Sequence, residues 1–198
     1  MMPNPDLETA RTWHLATDSH DAAVTDFEFA LMQVYEAFQR YCVSLGRLVG
    51  QPEITFNEVV VLHVVRMQER PKDAGTIAKL VNRDDLPNVL YNLRKLVSLG
   101  LVTKTRNGSA TLFEVTERGR IETQRYADLR NRVLLEAFAR TPNIEERMQE
   151  VDWTLNLLTG LYDSAARDVA SINPSALFAD EAADAPAPRS TKGARAKK

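Results

Sequence analysis

The fold is decided by residues 73–116, which read DAGTIAKLVNRDDLPNVLYNLRKLVSLGLVTKTRNGSATLFEVT. Upstream of this stretch, Thr55 and Glu58 can form a capping box at the start of a helix. Near the start of the stretch, Asp73 can cap a short helix, and Asn82 suits a left-handed position after it. After a tight turn, Asp84 or Asp85 can cap a longer helix, which tolerates Pro87 because this residue lies in its first turn. Apolar residues occupy one face of the longer helix, and polar or basic residues occupy the other. This order predicts a helix-turn-helix whose second helix has a polar outer face.

A β-hairpin is predicted directly after the second helix. Gly100 ends that helix and leads into a β-type run. Two such runs, residues 101–106 and 110–116, flank Asn107-Gly108, which is a strong hairpin signal. The alternative is an unrelated small domain of helices and strands. The one-sided polar face, the glycine stop and the Asn-Gly signal together favour a winged helix-turn-helix.

Two long amphipathic segments flank this core of about residues 55–116. One spans about residues 21–50. The other spans about residues 117–172 and contains a helix that Thr116 can cap, from Glu117 to about residue 140, and a further segment from Ile144. Apolar residues recur at alternating steps of three and four residues from Val24 to Leu48 and from Ile144 to Ile172. Each pattern is typical of a long helix with an apolar seam. Because a chain of this size could not bury two such seams by itself, we predict an obligate two-fold dimer. Its predicted interface residues are Val24, Phe27, Leu31, Val151, Leu155, Leu158 and Tyr162.

The predicted fold class is therefore mainly α with a small β-hairpin wing. It is a winged helix-turn-helix flanked by long N- and C-terminal dimerisation helices. Residues 21–172 are predicted to form a single domain. Residues 1–20 show no sustained periodicity and are predicted to be a flexible lead. Residues 173–198, rich in Ala, Asp and Pro and then in Lys and Arg, are predicted to be a disordered basic tail.

The composition is that of an ordinary soluble globular protein, since 44% of the 198 residues are hydrophobic and 26% are charged. No apolar run approaches the roughly 18 residues that a membrane-spanning helix needs. The N-terminal residues lack the basic and apolar regions of a secretory signal. We therefore expect a cytoplasmic protein without a membrane partner.

Charge is distributed unevenly along the chain, although the net charge is only −2. Residues 66–106 carry nine basic and four acidic side chains, and the last ten residues carry five basic and no acidic ones. The rest of the chain sums to −12. A basic face on an acidic body is typical of a DNA-binding protein, although a stripe of this size is also common on a merely solvated face.

The sequence offers little for catalysis or metal binding. The single cysteine, Cys42, excludes an intramolecular disulfide and a zinc site built from several cysteines. The histidines, His14, His20 and His63, share no ligand spacing. A Gly-rich phosphate loop and a nucleophile elbow are both absent from the sequence. We predict no enzyme activity, no metal and no cofactor, and we favour a structural thiol over a redox sensor at Cys42.

The order of these elements and their local sequences resemble those of the MarR (multiple antibiotic resistance regulator) family of winged-helix transcriptional regulators. The resemblance rests on Ile77–Leu80, on Leu93–Val102 and on Val115–Gly119, which matches the family's strand-to-helix pattern Leu-Thr-x-x-Gly. In that family the first and last helices form the dimer interface, which coincides with the two striped segments here. The hairpin departs from the family pattern, because it is shorter and lacks the family's Asp-x-Arg pair.

The resemblance implies a homodimeric, sequence-specific regulator that places its longer helix in the major groove of an inverted-repeat operator. Asn88 and Asn92 suit adenine edges, and Tyr91 suits a thymine methyl group or a phosphate. Arg94 or Lys95 suits guanine or phosphate, and the short wing suits phosphates better than the minor groove. The predicted DNA-binding residues are Pro87, Asn88, Tyr91, Asn92, Arg94, Lys95, Lys104, Arg106 and Asn107. The rival function is a winged-helix dimer that binds protein instead of DNA, which the overall acidity and the short wing favour.

The resemblance also implies control by a small effector, which would be mostly apolar and could be an aromatic acid. Its site would lie where the dimerisation helices meet the winged domain. The predicted lining combines aromatic walls with a few polar groups, as ligand pockets do. It consists of Phe38, Tyr41, Phe56, Val60, His63 and Tyr126. The alternative is that these six residues are simply packed core.

Overall fold

The computed structural model describes residues 14–16 and 18–173, which fall into two compact units that divide after Phe138. The first unit contains helices α1 (Ser19–Leu48), α2 (Phe56–Arg66), α3 (Ala74–Leu80), α4 (Leu86–Ser98) and α5 (Glu117–Arg130), and strands β1 (Lys72–Asp73), β2 (Val102–Asn107) and β3 (Ala110–Val115). The short helix α6 (Glu136–Ala139) spans the division between the units. The second unit contains α7 (Ile144–Ser171). The predicted fold class, mainly α with a small sheet, is confirmed.

The predicted ends of the chain lie largely outside the described residues. Of the predicted lead, only residues 14–16 and 18–20 are described, and α1 already begins within it. Asp18 caps α1, because its carboxylate accepts the backbone N–H groups of His20 and Asp21 at 2.7 and 2.9 Å. Of the predicted basic tail, only Asn173 is described.

The three strands form an antiparallel sheet in the order β1-β3-β2. Strands β2 and β3 are the predicted hairpin, and Asn107 is paired with Ala110 at its end. The turn therefore consists of Gly108 and Ser109, so Asn107 is the last strand residue and not the turn residue that the Asn-Gly signal predicts. Gly108 adopts a φ of 60°, which a glycine reaches without strain. The sequence does not predict β1, because a two-residue strand leaves no periodicity.

The helix caps lie where the sequence predicts them. Thr55 and Glu58 form a capping box at the start of α2: the Thr55 hydroxyl accepts the Glu58 N–H at 3.4 Å, and the Glu58 carboxylate accepts the Thr55 N–H at 3.0 Å. Asn82 follows α3 in the predicted left-handed conformation, with a φ of 50°. Further N-caps are Asp73 on α3, Asp85 on α4 and Thr116 on α5.

A first hydrophobic core holds the helix-turn-helix against the sheet. The predicted inner face of α4 is buried here, with Val89, Leu93 and Leu96 fully enclosed by residues of α2, α3 and the sheet. Gly119 brings the start of α5 close to this core, because a Cβ at that position would lie 2.2 Å from the Leu101 carbonyl oxygen. The polar face of α4 is consequently the face directed away from the core.

A second core joins α1, α2 and α5. It contains Cys42, Leu45, Ile54, Val59 and Tyr126. Burial raises the pKa of the Cys42 thiol, and the thiol is hydrogen-bonded with Tyr126. A buried thiol with a raised pKa is poorly reactive, which favours a structural role for this cysteine.

The segment after α5 differs in detail from the single helix that the sequence predicts to about residue 140. A π-helical stretch, Asn131–Leu135, separates α5 from the short α6. In the second unit, α7 begins at Ile144 as predicted and has no buried residue.

Candidate nucleic-acid interface

The outer face of α4 presents most of the residues predicted to bind DNA. Pro87, Asn88 and Arg94 are exposed, and Tyr91 is 62% exposed. Because α4 carries a hydrophobic core on its opposite side, its backbone is held rigidly beneath these side chains. The face combines an amide, a phenol and a guanidinium, which can contact base edges and phosphates.

The prediction that Asn92 lies on the outer face of α4 is wrong, because its side chain is buried. It is only 3% exposed. Its Nδ2 donates to the Asn88 backbone carbonyl at 2.8 Å and to Asn88 Oδ1 at 2.7 Å. Both donor hydrogens are thereby used within the helix, and Asn92 holds the neighbouring exposed asparagine.

Lys95, also predicted to bind DNA, is partly exposed, and its ammonium group binds a carboxylate of the protein itself. Lys95 Nζ lies 2.9 Å from Glu58 Oε1, and the Glu58 side chain is 2% exposed. The hydrogen bond that Lys95 donates to this carboxylate is the main reason that the pKa of Lys95 is raised. The pair connects α4 to the start of α2, and through it Lys95 can hold α4 in position.

An open depression of about 520 Å³ lies between the start of α2 and the exposed face of α4. Two of its lining residues, Thr55 and Asn57, were not predicted as part of the interface. Thr55 is predicted only as a helix cap, and the sequence holds no signal that α2 reaches this face. Asn57 Oδ1 accepts a hydrogen bond from Arg83, which lies in the turn between α3 and α4.

The wing presents Lys104, Arg106 and Asn107, all of which are exposed. Lys104 and Arg106 are two residues apart on β2 and therefore lie on the same face of the hairpin. Two positive charges on a short hairpin suit contacts to phosphates.

The basic surface is smaller than the charge count of residues 66–106 suggests. Lys72 is buried, and its Nζ donates to the carbonyl oxygens of Val65 at 3.1 Å and Arg70 at 3.0 Å and also to that of Met67. Burial, more than any neighbouring charge, lowers the pKa of Lys72. In addition, Arg66 donates to Thr123 Oγ1 and Gln124 Oε1 of α5, and Arg83 and Lys95 have the partners described above. Arg70 Nε also donates to Gln68 Oε1 at 3.0 Å, so five of the nine basic side chains have partners within the protein.

The predicted effector residues cluster around α1, α2 and α5. Phe38 and Phe56 make an edge-to-face contact with ring centroids 5.8 Å apart, and His63 lies against Tyr126 at 4.4 Å. The Tyr41 hydroxyl oxygen is buried and has no hydrogen-bond partner in the described part of the chain. Val60 is partly buried on α2. The structure therefore gives this group both the packed contacts of a core and one unsatisfied polar atom.

Two cavities meet His63. The smaller one, of about 10 Å³, also contacts Gln51, Glu122 and Tyr126 and has room for about one water molecule. The larger one, of about 470 Å³, lies between the end of α2 and α5. Burial, with a smaller contribution from Arg66, lowers the pKa of His63 to about 4, so its imidazole is neutral near pH 7.

Exposed apolar side chains mark the two predicted dimerisation helices. On α1, Val24 is 44% and Leu31 37% exposed, and Phe27 is half-buried. On α7, the residues predicted for the interface are Val151, Leu155, Leu158 and Tyr162, of which Val151 is 53% exposed and Leu158 partly buried.

Within residues 14–16 and 18–173, no group of three or more His, Cys, Asp or Glu side chains is arranged to hold a metal ion. No helix among them has both the length and the apolar character that a membrane crossing requires.

Comparison with known proteins places this geometry in a class. Residues 54–119 match the family model of the winged helix DNA-binding domain. A search of curated proteins finds no match. The matched residues include α4 and the wing, so the winged-helix fold predicted from the sequence is confirmed.

Solved structures extend the likeness to the flanking helices. A MarR-family transcriptional regulator from Rhodococcus sp. RHA1 is 18% identical, with a TM-score of 0.54 over 73% of this chain and 96% of that one. CouR from Rhodococcus jostii RHA1, solved with p-coumaroyl-CoA, is 19% identical, with a TM-score of 0.54 over 68% and 92%. An organohalide-sensing RdhR regulator, solved in its 2,4-dichlorophenol-bound form, is 16% identical, with a TM-score of 0.55 over 75% and 84%. The fold is that of MarR-type transcriptional regulators, and the resemblance predicted from the sequence is confirmed.

Proposed function

We propose that this protein is a sequence-specific transcriptional regulator that binds an inverted-repeat operator as a homodimer. The observation that carries the proposal is the exposed polar face of α4 within a winged helix DNA-binding domain. In this proposal α4 enters the major groove, where Asn88, Tyr91 and Arg94 contact base edges or phosphates. Lys104 and Arg106 of the wing bind phosphates. The setting that we propose is the cytoplasm.

The homodimer is supported by the exposed apolar residues of α1 and α7. A helix of 28 residues with no buried side chain lacks the tertiary packing that stabilises most helices in water. A second copy would provide that packing, because a two-fold dimer pairs the same surface patches of both subunits. Two recognition helices related by a two-fold axis would then bind two half-sites about one helical turn apart.

Control by a small aromatic ligand is the finer part of the proposal. It is supported by the buried Tyr41 hydroxyl, which has no partner among the described residues, and by Phe56, which packs with Tyr41 against the second core and contacts Phe38 edge to face. Two proteins of the same fold were solved with aromatic compounds, p-coumaroyl-CoA and 2,4-dichlorophenol. The ligand must prefer one spacing of the two recognition helices, since otherwise it could not change DNA affinity. Because the two binding equilibria are linked, operator DNA would lower the affinity for the ligand, and the ligand would lower the affinity for DNA by the same factor.

Selection of bound fragments from a genomic DNA library tests the proposal. We expect enrichment of an inverted repeat, with retention that falls steeply as salt is raised. Tyr91→Ala should relax the sequence preference, whereas Lys104→Ala should weaken binding to all sequences alike. A protein that enriches no sequence and is not retained on DNA at low salt would instead be the protein-binding module.

The ligand proposal needs a separate measurement. A panel of substituted benzoates and phenols is screened by thermal shift, with and without the selected operator. We expect a compound that raises the melting temperature and does so less when operator DNA is present. If no compound stabilises the protein, or if operator DNA does not change the stabilisation, the six residues of the predicted lining belong only to the packed core.

A further inference from the structure

We infer that Asn92 orients the Asn88 side chain so that Asn88 presents its amide N–H groups to DNA, and that Asn88 therefore selects a base with acceptors in the major groove, guanine first. The inference rests on the proposed function, in which α4 enters the major groove. It adds a specificity-determining pair, one residue buried and one exposed, to the recognition helix.

The orientation of Asn92 is determined by a backbone group. The Asn88 carbonyl oxygen can only accept a hydrogen bond, and the Asn92 side chain lies 2.8 Å from it through Nδ2. The amide of Asn92 must therefore direct its nitrogen, and not its oxygen, towards the preceding turn. Because Asn92 is 3% exposed, water cannot easily replace this bond.

The orientation of Asn88 follows from that of Asn92. The second Nδ2 hydrogen of Asn92 needs an acceptor, and Asn88 Oδ1 provides it at 2.7 Å. A flipped Asn88 would bring two N–H donors together at this distance, which is repulsive. The carbonyl of Asn88 is thus turned towards the buried partner, and its Nδ2 is left for the exposed side of α4. The Asn88 backbone N–H is bound by the Asp85 carboxylate at 3.1 Å, so this residue is held at both its backbone and its side chain.

The outward amide group changes the expected base. An asparagine that binds adenine in the bidentate manner directs both its nitrogen and its oxygen at the base edge, whereas the Asn88 oxygen is directed at Asn92. Guanine presents two acceptors, N7 and O6, to the two hydrogens of one amide nitrogen, whereas cytosine presents a donor. The adenine preference that the sequence predicts for these asparagines is therefore replaced by a preference for guanine at Asn88.

The first test locates and probes the base. Operator selections with wild-type protein and with Asn88→Ala identify the position in each half-site at which the preference depends on Asn88. We expect guanine there for the wild type and no preference for Asn88→Ala, whose exposed site makes a folding defect improbable. Replacing that guanine by 7-deazaguanine, which lacks the N7 acceptor, should weaken wild-type binding about five- to tenfold and leave Asn88→Ala unaffected.

The second test uses Asn92→Leu, which has a side chain of similar size without the amide. Asn88 is then free to rotate, so adenine should become acceptable at the same position while all other positions keep their preference. A thermal melt of the variant checks that it is folded. The inference would be overturned if the wild type preferred cytosine or adenine at this position. It would also be overturned if folded Asn92→Leu kept the wild-type preference. A wild-type protein that enriches no operator would overturn the proposed function together with it, whereas an operator insensitive to Asn88→Ala would overturn the inference alone.

Discussion

Lys95→Met removes the ammonium group that binds the buried Glu58 carboxylate while preserving a long apolar side chain. The two charges are 2.9 Å apart, which corresponds to about 6 kcal/mol of Coulomb attraction at an effective dielectric constant of about 20, before desolvation is counted. Loss of one partner of a fully buried pair costs about 3–5 kcal/mol, and loss of an exposed pair at most about 1 kcal/mol. Since Lys95 is 32% exposed and Glu58 keeps the hydrogen bond from Thr55, we expect a loss of about 2 kcal/mol in the free energy of unfolding.

Urea unfolding at fixed protein concentration measures this loss in Lys95→Met, in Glu58→Gln and in the double variant. The double variant should be more stable than the sum of the single effects implies, because neither charge is then left without its partner. The salt dependence of operator binding provides the second readout. Its slope should be unchanged in Lys95→Met, and it should fall by about two units in Lys104→Ala, the matched control on the wing, because this substitution removes one phosphate contact from each of the two chains. Unchanged stability together with a reduced slope would refute the positioning role and return Lys95 to the DNA contacts.

Three further predictions concern other parts of the chain. Gly119→Ala, whose Cβ would lie 2.2 Å from the Leu101 carbonyl oxygen, should lose about 3 kcal/mol in urea unfolding, whereas the control Gly160→Ala, with nothing within 4 Å, should lose nothing. Stability should fall from pH 6.5 to about pH 4, by up to about 3 kcal/mol, because the pKa of His63 is lowered to about 4 and only the unfolded chain binds the proton in that range; unfolding of His63→Phe should lack this dependence. Leu158→Asp should give a monomer or an aggregate in sedimentation experiments, because it places a charge in the proposed dimer seam.

Each of these predictions has a result that contradicts it. A stable Gly119→Ala would mean that α5 can move away from β2 at little cost. Equal pH dependence in wild type and His63→Phe would mean that other groups dominate acid unfolding. A wild-type protein that sediments as a compact monomer at micromolar concentration would remove the basis of the Leu158→Asp prediction.

Local signals explain why the winged core could be predicted from the sequence. The caps at Asp73 and Asp85, the stop at Gly100 and the hairpin turn each depend on a few neighbouring residues. The apolar stripe of α4 also corresponds to its buried face. Such features need no knowledge of what packs against them.

The details of the site depend on tertiary contacts and could not be predicted in this way. Asn92 lies at the edge between the two faces of α4, and its polar side chain alone suggests exposure, whereas its hydrogen bonds to the preceding turn allow burial. The role of Lys95 depends on Glu58, 37 positions earlier in the printed sequence. From the sequence alone, Lys72 is likewise assigned to the basic surface. Its burial depends on the backbone carbonyl groups that accept hydrogen bonds from its ammonium group.

The measurement that tests the central proposal most directly is the binding of wild-type protein to the selected operator as a function of salt, with the stoichiometry determined by sedimentation. We predict two chains on one inverted repeat. We also predict a slope of log K against log salt of about −4 or steeper, since Lys104 and Arg106 of two chains would neutralise about four phosphates. A scrambled repeat should bind far more weakly. Binding that is equal for operator and scrambled DNA, or a single chain bound with little salt dependence, would contradict a dimeric, sequence-specific regulator.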